Sequence, residues 1–171
     1  MSHIAVIDIG KTNAKLALVN SVGLHEIAVI TQPNHVVDSP PWPHFDLAGI
    51  WTFIQNGLAQ FHKQYGIDAI SVTTHGASIV LIGQNGEAFP MLDYEYSAVN
   101  SLSDNYAQLR ADFSQTGSPH LPNGLNIGAQ LHWMLNTDPM IRRHLASIVT
   151  YPQYWGYLLT GERASDFTSL G

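Results

Sequence analysis

The short connection between the first two predicted strands constrains the fold of this chain most strongly. Apolar residues from Ile4 to Ile9 predict a buried strand and those from Ala14 to Val19 predict a second, with only four residues between them. A parallel crossover needs about a dozen residues or more, so these strands must form an antiparallel hairpin. The same length excludes a P-loop, in which a helix follows the phosphate-binding turn.

The next elements predict an α/β fold. A third strand is expected from His25 to Thr31, and the proline-rich segment from Gln32 to Phe45 is expected to be a loop. Asp46 is predicted to cap a helix with apolar residues at three- and four-residue intervals, and Ile67 to Thr74 then forms a buried strand. Three antiparallel neighbours, a helix and a further strand follow the order of an actin-like, ribonuclease-H-like fold.

The second half of the chain predicts shorter elements separated by turn signals. In chain order these are a hairpin of 79–82 with 88–92 around a turn at 84–86, a helix through 98–113, a helix over 127–135 that Pro139 interrupts or restarts, a strand near 148–149, and a helix from Pro152 ended by Gly161.

Composition and charge exclude several classes of function. The net charge of −6 with only 7 Lys and Arg argues against nucleic acid as a partner, because phosphate neutralisation needs a basic face. There is no cysteine, and the 9 histidines are scattered without zinc-ligand spacing, so a structural zinc site is not expected. No apolar run reaches the roughly 18 residues of a membrane span, and no signal peptide precedes the first strand. We therefore expect a cytoplasmic protein without a membrane partner.

The turn between the first two strands carries the strongest chemical signal. Its residue types suit a nucleotide phosphate: Gly10 permits close approach, Thr12 and Asn13 add donors, and Lys11 and Lys15 add positive charge. Taken alone, such residues are more typical of an ordinary hairpin. Asp8 shifts the balance, because a lone carboxylate on a buried strand is costly unless it has a function. We expect it to hold a hydrated Mg²⁺ beside the phosphates.

Two later segments place polar residues just beyond predicted strands. His75 and Gly76 follow the strand after the first helix, and ligands of open α/β sheets bind outside such strand ends. Asp93, Tyr94 and Glu95 follow another strand and combine carboxylates with an aromatic ring, as sugar-binding sites do. The alternatives are a structural histidine at 75 and a solvated loop at 93–96.

The motifs together resemble the FGGY family of carbohydrate kinases, specifically its N-terminal domain. Residues 7–15 resemble the family's first phosphate motif, and 70–77 resemble the strand and turn that contact the sugar. Residues 90–96 resemble a substrate segment, although the usual Trp is missing, and 157–166 resemble the Leu-Thr-Gly-Glu and Ser-Asp run. The four motifs occur in the family's order across essentially the whole chain.

The resemblance implies an actin-like ATPase domain with a mixed sheet that opens with an antiparallel hairpin and is flanked by helices. Residues 1–171 would be a truncated N-terminal domain, lacking the C-terminal part, the second domain and a general-base Asp expected beyond Gly171, and thus inactive alone. The implied cofactors are ATP and Mg²⁺. The implied phosphate-binding residues are Asp8, Gly10, Lys11, Thr12, Asn13 and Lys15, and Asp8 is also the implied metal ligand. The implied sugar-binding residues are His75, Gly76, Asp93, Tyr94, Glu95 and Asn126. Asp166 is expected to support the sugar site.

The implied substrate is a ketose or deoxyketose such as fuculose, rhamnulose or xylulose. Asn126 and Gln130, with the Val-Thr-Thr-x-Gly stretch from Val72, favour the fuculokinase and rhamnulokinase branch. Two alternatives stay open: another actin-like nucleotide-binding protein, and a non-catalytic sugar-binding module. The sequence also leaves open whether the protein is a monomer or a homodimer.

Overall fold

The computed structural model describes residues 2–166 and divides into two compact units. One unit comprises Met1–Val37 and Phe45–His75. The other comprises Asp38–His44 and Gly76–Gly171. No helix in the described part of the chain is both long and apolar enough to cross a membrane.

The first unit is built on a four-stranded mixed sheet. Its strands lie in the order β3 (His25–Pro33), β2 (Asn13–Asn20), β1 (His3–Ile9) and β6 (Ala69–Thr74). Strand β1 pairs antiparallel with β2, which places Asp8 opposite Lys15, and pairs parallel with β6. The predicted hairpin and strand order are thus confirmed. The elements of this half are β1 (His3–Ile9), β2 (Asn13–Asn20), β3 (His25–Pro33), β4 (Val36–Val37), β5 (His44–Phe45), α1 (Leu47–Tyr65) and β6 (Ala69–Thr74).

Helix α1 packs on this sheet through its apolar stripe. The Asp46 carboxylate accepts a hydrogen bond from the Gly49 N–H at 2.8 Å, as predicted for the N-cap. Ile54 is fully buried, and a Cβ atom on Gly57 would lie 2.5 Å from a Leu16 methyl group. The helix therefore lies close against β2, the strand that begins at the predicted phosphate-binding turn.

Two predictions for this unit were wrong. Strand β6 is not buried: most of its residues are exposed, and the Ile70 side chain is 43% exposed. Within residues 2–166 it pairs only with β1, so it is an edge strand and one side of it lacks a neighbour. The segment 32–45 is also not entirely loop, since β3 extends to Pro33 and two short strands follow.

The second unit has its own core, formed around the antiparallel strands β7 (Ile79–Gly83) and β8 (Leu145–Thr150). Val80 of β7 lies opposite Val149 of β8. Asp138 caps α5 (Pro139–His144) through the Met140 N–H at 2.8 Å. Gly161 ends α6 (Tyr151–Thr160) in the left-handed conformation, φ 80°, and this helix end was predicted from the sequence. The elements are β7 (Ile79–Gly83), a 3₁₀ helix (Ser97–Leu102), α2 (Ser103–Ala107), α3 (Phe113–Thr116), α4 (Ile127–Thr137), α5 (Pro139–His144), β8 (Leu145–Thr150) and α6 (Tyr151–Thr160).

Of two predictions for the second unit, one was confirmed only in part and one was wrong. Residues 88–92 turn back on β7 as predicted, with an antiparallel bridge between Ile82 and Ala88, but they form no strand, and the strand partner of β7 is β8. The helix predicted through 98–113 is broken into short pieces. Leu109 is 72% exposed and Phe113 63% exposed, so the apolar stripe that would stabilise one long helix buries little there.

Candidate functional site

The predicted phosphate-binding turn is a tight turn that connects β1 and β2. The Gly10 N–H donates to the Asn13 carbonyl oxygen at 2.9 Å, and the Asn13 side-chain amide donates to the Thr12 hydroxyl at 3.2 Å. The side chains of Thr12 and Asn13 are exposed. Two polar side chains are thus presented to solvent beside the Asp8 strand end.

Asp8 lies at the end of β1, but its side chain is exposed. Asp8 was expected to be buried on its strand, where an unpaired charge would be costly without a function. This expectation was wrong, because solvent hydrates the Asp8 carboxylate. The described residues contain no group of three or more His, Cys, Asp or Glu side chains that could enclose a metal ion. One exposed carboxylate beside a phosphate turn fits Mg²⁺, which keeps several waters and takes its remaining ligands from substrate phosphates.

Lys15 makes a contact that the sequence did not indicate. Its ammonium group donates to a Glu26 carboxylate oxygen at 2.6 Å. Glu26 lies opposite Val19 in the β2–β3 register, on the side of Lys15 away from the turn. The hydrogen bond and the charge of Glu26, with a smaller contribution from Asp8, raise the pKa of Lys15 and keep it cationic. A phosphate-binding role for Lys15, which remains a prediction, requires this ammonium to move towards the turn.

His75 and Gly76 follow β6, as predicted, and each belongs to a different unit. The His75 N–H donates to the Ile9 carbonyl oxygen at 2.7 Å, and the imidazole lies 5.2 Å from the Phe45 ring centre. The backbone at 75 is therefore anchored to the end of β1. Gly76 is exposed, and a Cβ atom there would contact nothing within 4 Å.

The segment 93–96 forms a tight turn in the second unit. The Asp93 carboxylate accepts from the Glu95 N–H at 3.1 Å, and the Asp93 carbonyl oxygen accepts from the Tyr96 N–H at 3.0 Å. Glu95 is exposed, whereas Tyr94 is half-buried and its carbonyl oxygen accepts from the Gly124 N–H at 2.9 Å. One carboxylate of this segment thus shapes the turn, and the other faces solvent.

Gln130 was noted in the sequence only as part of a motif, but it links three of these backbone segments. Its side chain is fully buried, and its amide nitrogen donates to the carbonyl oxygens of Ala77 and Gly124, both at 2.5 Å. Gly124 in turn bonds to Tyr94. The backbone after Gly76 and the backbone at Tyr94 are therefore joined through a single buried amide. A polar residue within the apolar face of α4 is the signal that could have identified it.

Asn126 precedes α4, but its side chain braces a loop in this structure. The Asn126 side-chain oxygen accepts a hydrogen bond from the Leu121 N–H at 2.9 Å, and the side-chain nitrogen donates one to the Pro119 carbonyl oxygen at 3.1 Å. A sugar-binding role for Asn126 remains a prediction and would require an exchange of these hydrogen bonds. Asp166 is exposed, and its supporting role is likewise still a prediction.

Replacing Gly124 by alanine is expected to destabilise the protein by about 1–3 kcal/mol. The added Cβ would lie 3.0 Å from Gln130 Cγ and 3.1 Å from the Tyr94 Cα and carbonyl oxygen, and backbone atoms cannot rotate away. Gly156 in α6 is the matched control, because its Cβ would meet nothing within 4 Å. Alanine there should stabilise the helix by about 0.5–1 kcal/mol. Urea unfolding of both variants measures the two effects, and a change of the same sign in both contradicts the close approach at Gly124.

Comparison with known proteins identifies the class to which this fold and its motifs belong. Residues 3–171 match the family model for the FGGY family of carbohydrate kinases, N-terminal domain. A carbohydrate kinase from Novosphingobium aromaticivorans is 32% identical with a TM-score of 0.89, over 98% of this chain and 36% of that chain. The chain therefore belongs to the FGGY family of carbohydrate kinases, and the actin-like fold predicted from the sequence is confirmed.

Two solved xylulose kinases share the fold at lower sequence identity. The enzyme from Rhodospirillum rubrum is 24% identical with a TM-score of 0.78, over 98% of this chain and 36% of that chain. The ligand-bound enzyme from Lactobacillus acidophilus is 18% identical with a TM-score of 0.81, over 99% of this chain and 36% of that chain. The present chain thus spans little more than a third of the length of these relatives.

Proposed function

We propose that the full-length protein transfers the γ-phosphoryl group of ATP to a hydroxyl group of a sugar. The observation that carries this proposal is the exposed turn after Asp8 in a chain that belongs to a family of carbohydrate kinases. Such a reaction depends chiefly on positioning and on stabilising the charge of the transferring group, so it needs hydrogen-bond donors rather than a nucleophilic side chain.

In this proposal the turn binds the phosphates. Backbone N–H groups of residues 11–13, with the Thr12 hydroxyl and the Asn13 side-chain amide, donate to phosphate oxygens, and Lys11 adds positive charge. Asp8 holds a hydrated Mg²⁺, which neutralises charge on the phosphates when it is bound. The exposed position of Asp8, Thr12 and Asn13 supports this assignment, because ligands can reach all three side chains.

The sugar is oriented by the residues predicted from the sequence: His75, Gly76, Asp93, Tyr94, Glu95 and Asn126. The sugar oxygen forms a bond to the γ-phosphorus while the bond from that phosphorus to the ADP oxygen breaks. The hydroxyl proton passes to a carboxylate base, which the family resemblance leads us to expect beyond Gly171. The exposed Glu95 carboxylate supports the sugar assignment, because it can accept hydrogen bonds from hydroxyl groups.

The substrate class proposed is a ketose or deoxyketose, with fuculose, rhamnulose and xylulose as the candidates. The Asn126–Gln130 segment favours fuculose or rhamnulose by resemblance. The two solved xylulose kinases with the same fold are the reason to keep xylulose in the set.

ADP release by the full-length protein, measured across a panel of these ketoses, gluconate and glycerol, tests the proposal. We expect release that is stimulated by a ketose and depends on Mg²⁺. ATP hydrolysis that no sugar stimulates would instead indicate a nucleotide-binding protein of the same fold, and sugar binding without ATP turnover would indicate a non-catalytic module. The 171-residue chain alone should be inactive, and turnover by it would show that the base has been misplaced.

A further inference from the structure

Asn34 makes two hydrogen bonds to the phosphate turn from the chain just beyond β3. Its side-chain amide nitrogen donates to the Gly10 carbonyl oxygen at 2.9 Å. Its backbone N–H donates to the Thr12 carbonyl oxygen, also at 2.9 Å. One residue, 24 positions after Gly10, thus binds the carbonyl group that precedes Lys11 and the carbonyl group that precedes Asn13.

These two bonds fix the direction of two peptide N–H groups. Cis peptide bonds within the described chain are confined to Pro40–Pro41, so the Gly10–Lys11 and Thr12–Asn13 peptides are trans. In a trans peptide the N–H points opposite to the C=O. Since both carbonyl groups point at Asn34, the N–H groups of Lys11 and Asn13 both point away from it. Two N–H groups of one turn that both face away from the residue holding it can contribute to an anion-binding concavity.

The side chain of Asn34 holds the Gly10 carbonyl group at a cost to the stability of the fold. The residue is only 5% exposed, and its side-chain oxygen is buried without a hydrogen-bond partner within residues 2–166. An unsatisfied buried acceptor costs about 1–3 kcal/mol, comparable to or larger than the net gain of one neutral hydrogen bond. Stability alone therefore does not account for an asparagine at this position, whereas orientation of the Gly10 carbonyl group does.

We propose that Asn34 is a positioning residue for nucleotide binding, holding the Gly10–Asn13 turn so that the N–H groups of Lys11 and Asn13 face the ATP phosphates. This inference rests on the proposed kinase function. Asn34 does not touch the nucleotide; it acts on it through the orientation of the turn.

The test compares Asn34 with Asn20 at the other end of β2. Asn20 is also buried, 7% exposed, and its side-chain oxygen accepts from the N–H groups of Val22 and Gly23 at 2.9 and 3.2 Å, so it braces the opposite turn. Three variants of the full-length protein are made. Asn34→Asp keeps the side-chain size but replaces the amide donor, Asn34→Ala removes the side chain and keeps the backbone bond, and Asn20→Ala is the matched control.

We expect both Asn34 variants to raise the ATP KM and the dissociation constant of a non-hydrolysable ATP analogue by about five- to tenfold, the equivalent of one lost hydrogen bond, and Asn34→Asp to raise them more. The sugar KM should be unchanged. Asn20→Ala should lower the unfolding midpoint while leaving ATP affinity as in the wild type.

Each other outcome counts against the inference. Equal ATP affinities in the Asn34 and Asn20 variants overturn the positioning role, as does a rise in sugar KM equal to the rise in ATP KM. If Asn34→Asp does not fold, Asn34→Ala decides the question. A wild-type protein that neither binds nor turns over ATP overturns the proposed function itself, which separates that failure from a failure of the positioning role.

Discussion

The Asp8→Asn variant of the full-length protein is expected to have a kcat at least about a hundredfold below that of the wild type, the usual loss when one preorganised charge-stabilising group is removed. The substitution keeps the size of the side chain and removes its charge, so the turn should persist while the Mg²⁺ of the proposed function would lose its protein anchor. Because the Asp8 side chain is exposed, stability should change little. Steady-state kinetics at a series of Mg²⁺ concentrations measures the effect, and the variant should need more Mg²⁺ for half-maximal rate.

Asp68→Asn is the matched control for this experiment. Asp68 is an exposed aspartate beside the opposite end of the same sheet, where its carboxylate accepts from the His3 N–H at 2.7 Å. An asparagine oxygen can still accept that hydrogen bond, so kcat and its Mg²⁺ dependence should match the wild type. Wild-type kinetics in Asp8→Asn would contradict the metal assignment, and an equal loss in both variants would point to sheet stability instead.

The Trp133→Ala variant is expected to lose about 3–5 kcal/mol of unfolding free energy, as for other buried aromatic residues cut to alanine. Trp133 is 7% exposed in the core of the second unit. Its ring packs edge-to-face against Trp42, with ring centres 5.6 Å apart, and against Tyr96, with ring centres 5.7 Å apart. The variant therefore leaves a cavity and also removes two favourable aromatic pairs.

The same substitution should weaken sugar binding under the proposed function. Tyr96 ends the turn that carries Asp93 and Glu95, so loss of its aromatic partner leaves that turn less well held. We expect a rise in sugar KM with little change in ATP KM. Trp133→Phe keeps an aromatic ring and should lose less than half of the unfolding free energy lost by the alanine variant. Equal losses in the two variants, measured by urea unfolding, would contradict the ring-packing argument.

Residue types were a better guide to the location of the candidate site than to the contacts within it. The turn at 10–13 and the strand end at 75 lie where the sequence placed them, whereas the segment 93–96 forms a turn that no strand precedes. Lys15 and Asn126 illustrate the limit: both were predicted to face ligands, and in the structure they hydrogen-bond to Glu26 and to the loop at 119–121. A polar side chain can bind a ligand or the protein, and residue type does not distinguish the two.

Burial was the other property that the sequence predicted poorly. The apolar residues of β6 and the stripe through Leu109 and Phe113 were both expected to be buried and are largely exposed. Apolar residue types indicate what can be buried. Whether a neighbour covers them depends on the sheet order and on which elements pack together.

The sequence by itself determined the antiparallel hairpin, because no other connection of four residues is sterically available between two strands. It also determined the helix boundaries at Asp46 and Gly161, because capping is local chemistry within one turn of chain. Only the tertiary structure decided which residue holds the turn at 10–13. Asn34 is distant in sequence from Gly10, and its hydrogen bond to the Gly10 carbonyl oxygen forms where β1, β2 and β3 are paired in one sheet. No periodicity in the sequence records such a contact, since it exists only in the folded chain.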